Sequence, residues 1–430
     1  MSPAAVHSAA LLVPNPSLLL LQIAVILALC RLATPLFAKL RQPAVIAEMM
    51  VGLLLGPSCF GWVAPQLSAL LFPASSLPAL SMISQVGLVL FMFLIGWRLD
   101  VGHLRTIGHL ALVISLVSIV VPFTLGSTAA AVAWHQYAPP DVGRLSLALF
   151  MGTAMSITAF PVLVRILDDQ GLLATGIGTL AVACAAFGDA AGWLILAAIT
   201  AVARSGSFAE AGVPLVGLVI YGVVMMTVVR PLLARLATRR GAAFGAAPAD
   251  IGIMLIVMLS SAYVTEVLGV HALFGAFFAG VTMPRATQAE RVFGRRIEPI
   301  VAALLLPLFF AFSGLRTSVQ LISSADLWAQ TLLILAVAVV GKGVGSAVAA
   351  RVMGTSWADA WLIGILLNTR GLVELVVLNI GLDLGILSPV LFSMMVLMAL
   401  ATTLATSPLV SLIRARMHSV ILRTVHLERS

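Results

Sequence analysis

The chain has 430 residues, 61% of them hydrophobic and 9% charged, with a formal net charge of +8. Such a composition excludes an ordinary soluble protein and places the chain in a lipid bilayer. No stretch is long and polar enough for a separate soluble domain, so one transmembrane domain over residues 1–430 is expected. The positive charge reads as a topology signal with some attraction to anionic lipid heads, and gives no reason to invoke nucleic acid.

At about twenty apolar residues per crossing, the sequence predicts thirteen spans: 11–30, 44–63, 79–97, 109–134, 145–167, 175–203, 212–234, 251–268, 269–284, 298–315, 327–350, 357–382 and 386–413. The ninth, GVHALFGAFFAGVTMP, is short and follows the eighth almost directly. The N-terminus lacks a basic region and a cleavage site, so the first run is kept as a helix. Cys30, Cys59 and Cys184 match no metal or disulfide spacing and read as packing residues. Thirteen crossings place nineteen Lys and Arg on one side and only Arg144, Arg204 and Arg316 on the other. That excess marks the cytoplasmic face, with the N-terminus outside and the C-terminus inside.

Four ionisable residues stand out deep inside spans: Asp189, Lys342, Arg370 and Glu374. Such residues are rare and usually functional. Glu48 and Glu266 lie near span ends, where water is expected to reach them, and Asp168 with Asp169 reads as a loop cluster. Arg370 and Glu374, four apart, share a helix face and suit either an ion pair locking two helices or the site itself. The chain has twenty-two arginines and only two lysines. A buried lysine can release its proton where arginine cannot, so Lys342 suggests proton coupling. Asp189 sits mid-span, too deep to reach an interface. A buried acid reached by water, with oxygen neighbours, can exchange its proton for a small cation.

An ion site in hydrocarbon needs free oxygens, which helices supply where they break. Span five reads LSLALFMGTAMSITAFPVLVRIL, with Thr153, Ser156 and Thr158 leading into Pro161, whose ring removes a donor. Span twelve reads WLIGILLNTRGLVELVVLNIGL, with Asn368, Thr369 and Gly371 at a comparable depth. Seven apart in order, the two spans cross in opposite directions. Interrupted helices at corresponding positions of two halves point to a transporter's midplane site.

The successive segments MSITAFPVLVRILDDQGLL, GTLAVACAAFGDAAGWLILA, GVHALFGAFFAGVTMP, LPLFFAFSGLRT, GKGVGSAVAARVMG and NTRGLVELVVLNIGLDLGILSP resemble the signatures of the monovalent cation:proton antiporter-2 family. The resemblance runs over about residues 20–410. It implies an all-α integral membrane protein of NhaA-type fold, with about 13 transmembrane helices in inverted repeats and two crossing broken helices. It also implies a homodimer. Carried over by position, Asp189 matches the essential cation and proton carboxylate, Thr158 the polar residue of the first broken helix, and Lys342 the lysine facing the site. Gly188 stands where many members carry Asp or Asn, so the usual partner of the lysine is missing. Lys342 then pairs with Asp189, is neutral, or leans on another oxygen.

The implied activity is exchange of Na⁺ or K⁺ for protons by alternating access; with one acid instead of two it is expected to be one for one and so electroneutral, and the abundance of Ala and Arg points to a bacterial inner membrane. A sodium-coupled organic solute symporter or a cation channel is the alternative. The first would show solute uptake and the second conductance through a repeated filter, of which none is evident. No enzyme site or cofactor is expected: the seven histidines are dispersed, and no nucleotide-binding glycine motif follows the last helix. The tail over residues 414–430 is short and basic, so no soluble regulatory domain is expected; a separate regulatory subunit could act instead.

Overall fold

A computed structural model of the protein describes residues 16–40, 42–98, 108–173, 175–205, 212–241, 244, 247–268, 271–284 and 288–427. Among these residues the regular structure is all helical, as a chain must be where no water is present to pair its backbone. In order the helices are α1 (Pro16–Lys39), α2 (Ala44–Leu55), α3 (Leu77–Arg98), α4 (His109–Ala129), α5 (Arg144–Ser156), α6 (Phe160–Asp169), α7 (Gly176–Ser205), α8 (Gly212–Val224), α9 (Arg230–Arg240), α10 (Pro248–Val267), α11 (Ala272–Thr282), α12 (Gln288–Ile300), α13 (Leu306–Leu315), α14 (Ala325–Ala338), α15 (Gly345–Val352), α16 (Trp357–Leu367), α17 (Leu372–Asp383) and α18 (Pro389–Leu427).

Ten described helical segments are long and apolar enough to cross a bilayer. The remaining three expected spans are the short α11 and two interrupted ones, α5 with α6 and α16 with α17. The expected fold class therefore holds. Boundaries move at both ends: the last span, placed at 386–413, runs as a helix from Pro389 to Leu427 and takes in most of the expected tail, and the first, placed at 11–30, runs as a helix from Pro16 to Lys39. Proline at the first position needs no N–H partner and starts the helix, and the exposed Arg31 stays within it, its head free to reach water. Positions 11–15 lie outside the described residues, as do the loop residues Arg105, Arg285 and Arg429.

The described residues form two compact units interleaved along the chain. The first lies within Met1–Thr34, Glu48–Val101 and Thr200–Thr317. Its tightest pairing is α3 on α11. A Cβ added to Gly96 would lie 1.9 Å from the Phe277 carbonyl oxygen, and one on Gly280 would lie 2.1 Å from that of Phe93. Lipid tails are as apolar as leucine, so membrane helices associate by such close approach rather than by hydrophobic exclusion. Phe93, Trp97 and Phe293 pack edge-to-face or tilted beside this contact, with centroids 5.5–5.6 Å apart. Glu48, expected to be wetted, is instead only 8% exposed. Its helix starts four residues earlier and turns it inward, within the field of Arg31.

The second unit lies within Pro35–Ala47, Gly102–Ile199 and Ser318–Ser430. Its core joins Ile114 of α4, Leu163 and Ile166 of α6, Cys184 and Ala185 of α7, and Ile363 and Leu366 of α16. Both interrupted spans belong to this unit, with α16 and α17 laid against α18. Between α14 and α15 the backbone opens into a wide π-helical stretch, Val339–Val344, a form often found at functional positions.

Replacing Gly280 by alanine forces two backbones apart, so the detergent-purified protein is expected to lose about 1–3 kcal/mol of stability, read as a lower melting temperature.

Candidate functional site

The last four carbonyls of any helix lack an intrahelical partner. Helix α5 ends at Ser156, in the buried middle of the second unit, because Pro161 cannot donate back to Ile157. The chain turns extended at Ile157 (φ −73°, ψ 140°) and restarts as α6 with Pro161 in its first turn, where no donor is required. All four orphan carbonyls of α5 are met by side chains. Ser156 Oγ donates to Thr153 O at 2.8 Å. Arg370 donates through Nη1 to Ala154 O at 3.0 Å and through Nη2 to Met155 O at 2.7 Å. Lys342 Nζ donates to Ser156 O, and also to Ser118 O of α4 at 3.1 Å. Two cations thus stand at the negative end of the helix dipole, where charge is most welcome.

The second interruption, Asn368 to Gly371, meets the first. Ala159 N–H donates to Thr369 O at 3.1 Å, and Thr158 Oγ1 donates to Leu367 O at 3.3 Å. Gly371 adopts φ 157° and ψ −128° at the start of α17. A Cβ there would lie 2.9 Å from Val162 Cγ2, so glycine is required for the two breaks to cross. Arg370 also pairs with Glu374 at 3.1 Å, both fully buried. The ion pair expected from their spacing is present, and it reaches beyond its own helix to α5.

Asp189 lies on α7, 3% exposed, and neither of its carboxylate oxygens has a hydrogen-bond partner. Its helix runs along the first break: a Cβ on Gly188 would meet Thr158 Oγ1 at 4.0 Å, and one on Gly192 would meet Ile157 Cγ1 at 3.1 Å. Lys342 stands in the combined field of Asp189, Glu374 and Arg370. Two cations and two carboxylates therefore share one buried neighbourhood. Lys342 leans on backbone oxygens, those of Ser118 and Ser156, and makes no hydrogen bond to Asp189. Further unpaired buried oxygens, Asn368 Oδ1 and Thr369 Oγ1, lie at the second break. A carboxylate with two free oxygens can hold a proton or a small cation, one at a time.

All the candidate site residues read from the sequence fall in this unit. Asp189, Thr158, Gly188, Lys342, Ser156, Arg370, Gly371 and Glu374 are linked by these contacts, Pro161 opens α6, and Asn368 caps α16. Sequence reasoning missed the carbonyls of Ala154, Met155 and Ser118, whose side chains carry no signal for a backbone role. It also missed Thr403, whose hydroxyl contacts the Arg370 backbone. The one hint lay in the run TTLATS of the last span.

Two broken helices crossing beside a buried, unpaired acid match the architecture of an ion-exchanging membrane transporter. The chain belongs to the sodium/hydrogen exchanger family: the family model for the transmembrane sodium/hydrogen exchanger matches residues 24–412. It is similar to the Na(+)/H(+) antiporter NhaS4 of Synechocystis, 40% identical over 91% of this chain and 96% of that protein. It is 33% identical to the K(+)/H(+) antiporter 1 of Saccharomyces cerevisiae and 40% identical to the cation/H(+) antiporter 20 of Arabidopsis thaliana. Those matches cover 92% and 91% of this chain, but only 46% and 48% of the longer relatives. Among solved structures, the sodium proton antiporter MjNhaP1 of Methanocaldococcus jannaschii shares the fold, with a TM-score of 0.63 over 90% of this chain and 95% of that one at 12% identity.

Arg370→Ala would leave Ala154 O, Met155 O and Glu374 without their donor and is expected to cost about 3–5 kcal/mol. Gly188→Ala meets no atom closer than 4.0 Å and should leave stability unchanged or raise it by up to about 1 kcal/mol. Thermal unfolding of the two purified variants checks both.

Proposed function

We propose that the chain is a secondary antiporter exchanging a monovalent cation, Na⁺ or K⁺, for protons by alternating access. Membership of the exchanger family and the activities named for its relatives support the reaction. The observation that carries the site assignment is Asp189, buried with both oxygens unpaired beside the crossing of two half-helices. Asp189 holds the cation and the proton in turn, with Thr158 as a neighbouring oxygen. Lys342 sets the local positive field from its seat on two carbonyls.

In the cycle, a cation arriving from one side displaces the proton of Asp189. The loaded site then opens to the other side, where a proton returns and the cation leaves. Each ligand neutralises the carboxylate and so permits the change of access, while the bare charge resists it. With Gly188 offering no second acid, one proton moves per cation and the exchange is electroneutral. The same reading places a homodimer in the bacterial inner membrane, N-terminus outside and C-terminus cytoplasmic, as nineteen basic residues against three imply. A separate regulatory subunit is compatible with this arrangement.

In everted vesicles, Asp189→Asn should reduce cation-dependent proton flux to background; persistent flux would reject the site. Because one proton competes with one cation, the apparent KM for the cation should rise about tenfold for each unit by which pH falls once the acid is mostly protonated, and level off at higher pH. Initial rates across pH at several cation concentrations measure that slope.

A further inference from the structure

Between Asn368 and Gly371 the chain leaves the helix, so the N–H and C=O of Arg370 have no partner in regular structure. At this depth unpaired backbone groups are not tolerated. One side chain answers both. Thr403 of α18, fully buried and 33 residues along the chain, accepts from Arg370 N–H at 3.1 Å and donates to Arg370 O at 2.7 Å. A hydroxyl can accept and donate at once, which few groups of this size can do. The neighbouring threonines use theirs differently. Thr402 Oγ1 donates to Met398 O and Ala399 O, and Thr406 Oγ1 to Thr402 O, all within α18. Such back-bonding is the ordinary use of threonine in a membrane helix. Thr403 departs from it, and the peptide it grips belongs to the residue whose guanidinium holds Ala154 O and Met155 O.

We propose that Thr403 is a positioning residue: by clamping the Arg370 peptide it sets the Arg370 guanidinium against the end of α5, and so tunes the cation affinity of the Asp189 site. The proposal rests on the antiporter reading above. Without the clamp the Arg370 peptide is free to turn and carries its side chain off the two carbonyls. The end of α5, which also seats Lys342 and leads into Thr158, then loses its fixed place beside Asp189. The protein still folds and inserts, but the oxygens around the cation are less well placed.

The test uses full-length protein reconstituted in liposomes with a pH-sensitive dye. Thr403→Val keeps the shape and removes the hydroxyl; Thr403→Ser keeps the hydroxyl and removes the methyl. The valine variant should raise the apparent KM for the transported cation about tenfold, with a much smaller change in kcat, and the serine variant should match the wild type. A merely structural role would lower the yield of folded protein and leave KM in the surviving fraction unchanged. A wild-type KM in Thr403→Val overturns the proposal, and so does an equally raised KM in Thr403→Ser, which would point to the methyl. If the valine variant is not recovered, Thr403→Cys replaces it. Its thiol is a weak donor and acceptor, so an intermediate KM supports the clamp and a wild-type KM rejects it. Asp189→Asn, run in parallel, separates the two ideas. Exchange by that variant rejects the antiporter site, whereas a silent Asp189→Asn beside a normal Thr403→Val rejects the clamp alone.

Discussion

A helix that stops inside hydrocarbon leaves four carbonyl oxygens that nothing nearby will hydrate, and the second unit is organised around answering them. Ser156 returns its own hydroxyl to one, Arg370 forks across two, and Lys342 takes the last. The two charged donors each make a second demand. Arg370 is buried and needs the Glu374 carboxylate. Lys342 needs a second oxygen, found on Ser118. Five helical elements, α4, α5, α15 through its wide turn, α17 and α18, are thereby tied to one broken end.

This requirement explains why Asp189 is left over. Arg370 and Lys342 are both bonded to backbone oxygens, and Glu374 is bonded to Arg370, so the remaining carboxylate has a favourable field around it and no donor attached to it. An acid hydrogen-bonded to a lysine would have to release that bond before accepting a cation. An acid that feels the lysine without touching it does not. Gly188 contributes by its small size, since it places no side chain in the space between α7 and Thr158.

Much of this was legible in the sequence, for physical reasons. A bilayer imposes a fixed span length, and polar residues within a span are too costly to occur by accident, so the helices and Asp189, Lys342, Arg370 and Glu374 stood out directly. The two breaks were legible because Pro161 lacks the N–H and the backbone freedom of its neighbours, while Gly371 has a freedom that they lack. What was hidden is what depends on backbone. The roles of Ala154 and Met155 belong to carbonyls every residue possesses, and Thr403 looks like the other threonines of its helix until its partner is known. The burial of Glu48 was hidden too, because distance from a span end says how far water is along the axis, not which face the side chain takes. The helix boundary beyond Arg31 was missed for a related reason, as a charge on the outer face does not end a helix.

The wide stretch Val339–Val344 that carries Lys342 is continuous with helix on both sides. An ordinary α-helical residue advances the chain by about 100° around the axis, so a stretch of i→i+5 turns shifts the phase of everything after it. The buried residues of α15, Ser346, Ala347, Ala349 and Ala350, lie beyond that shift, on a helix packed against α4 and α16. A surface loop of this protein can gain or lose a residue and merely change its reach. One residue gained or lost in this stretch would instead rotate a whole helix out of register with its neighbours, turning Lys342 or the small residues beyond it toward the wrong side.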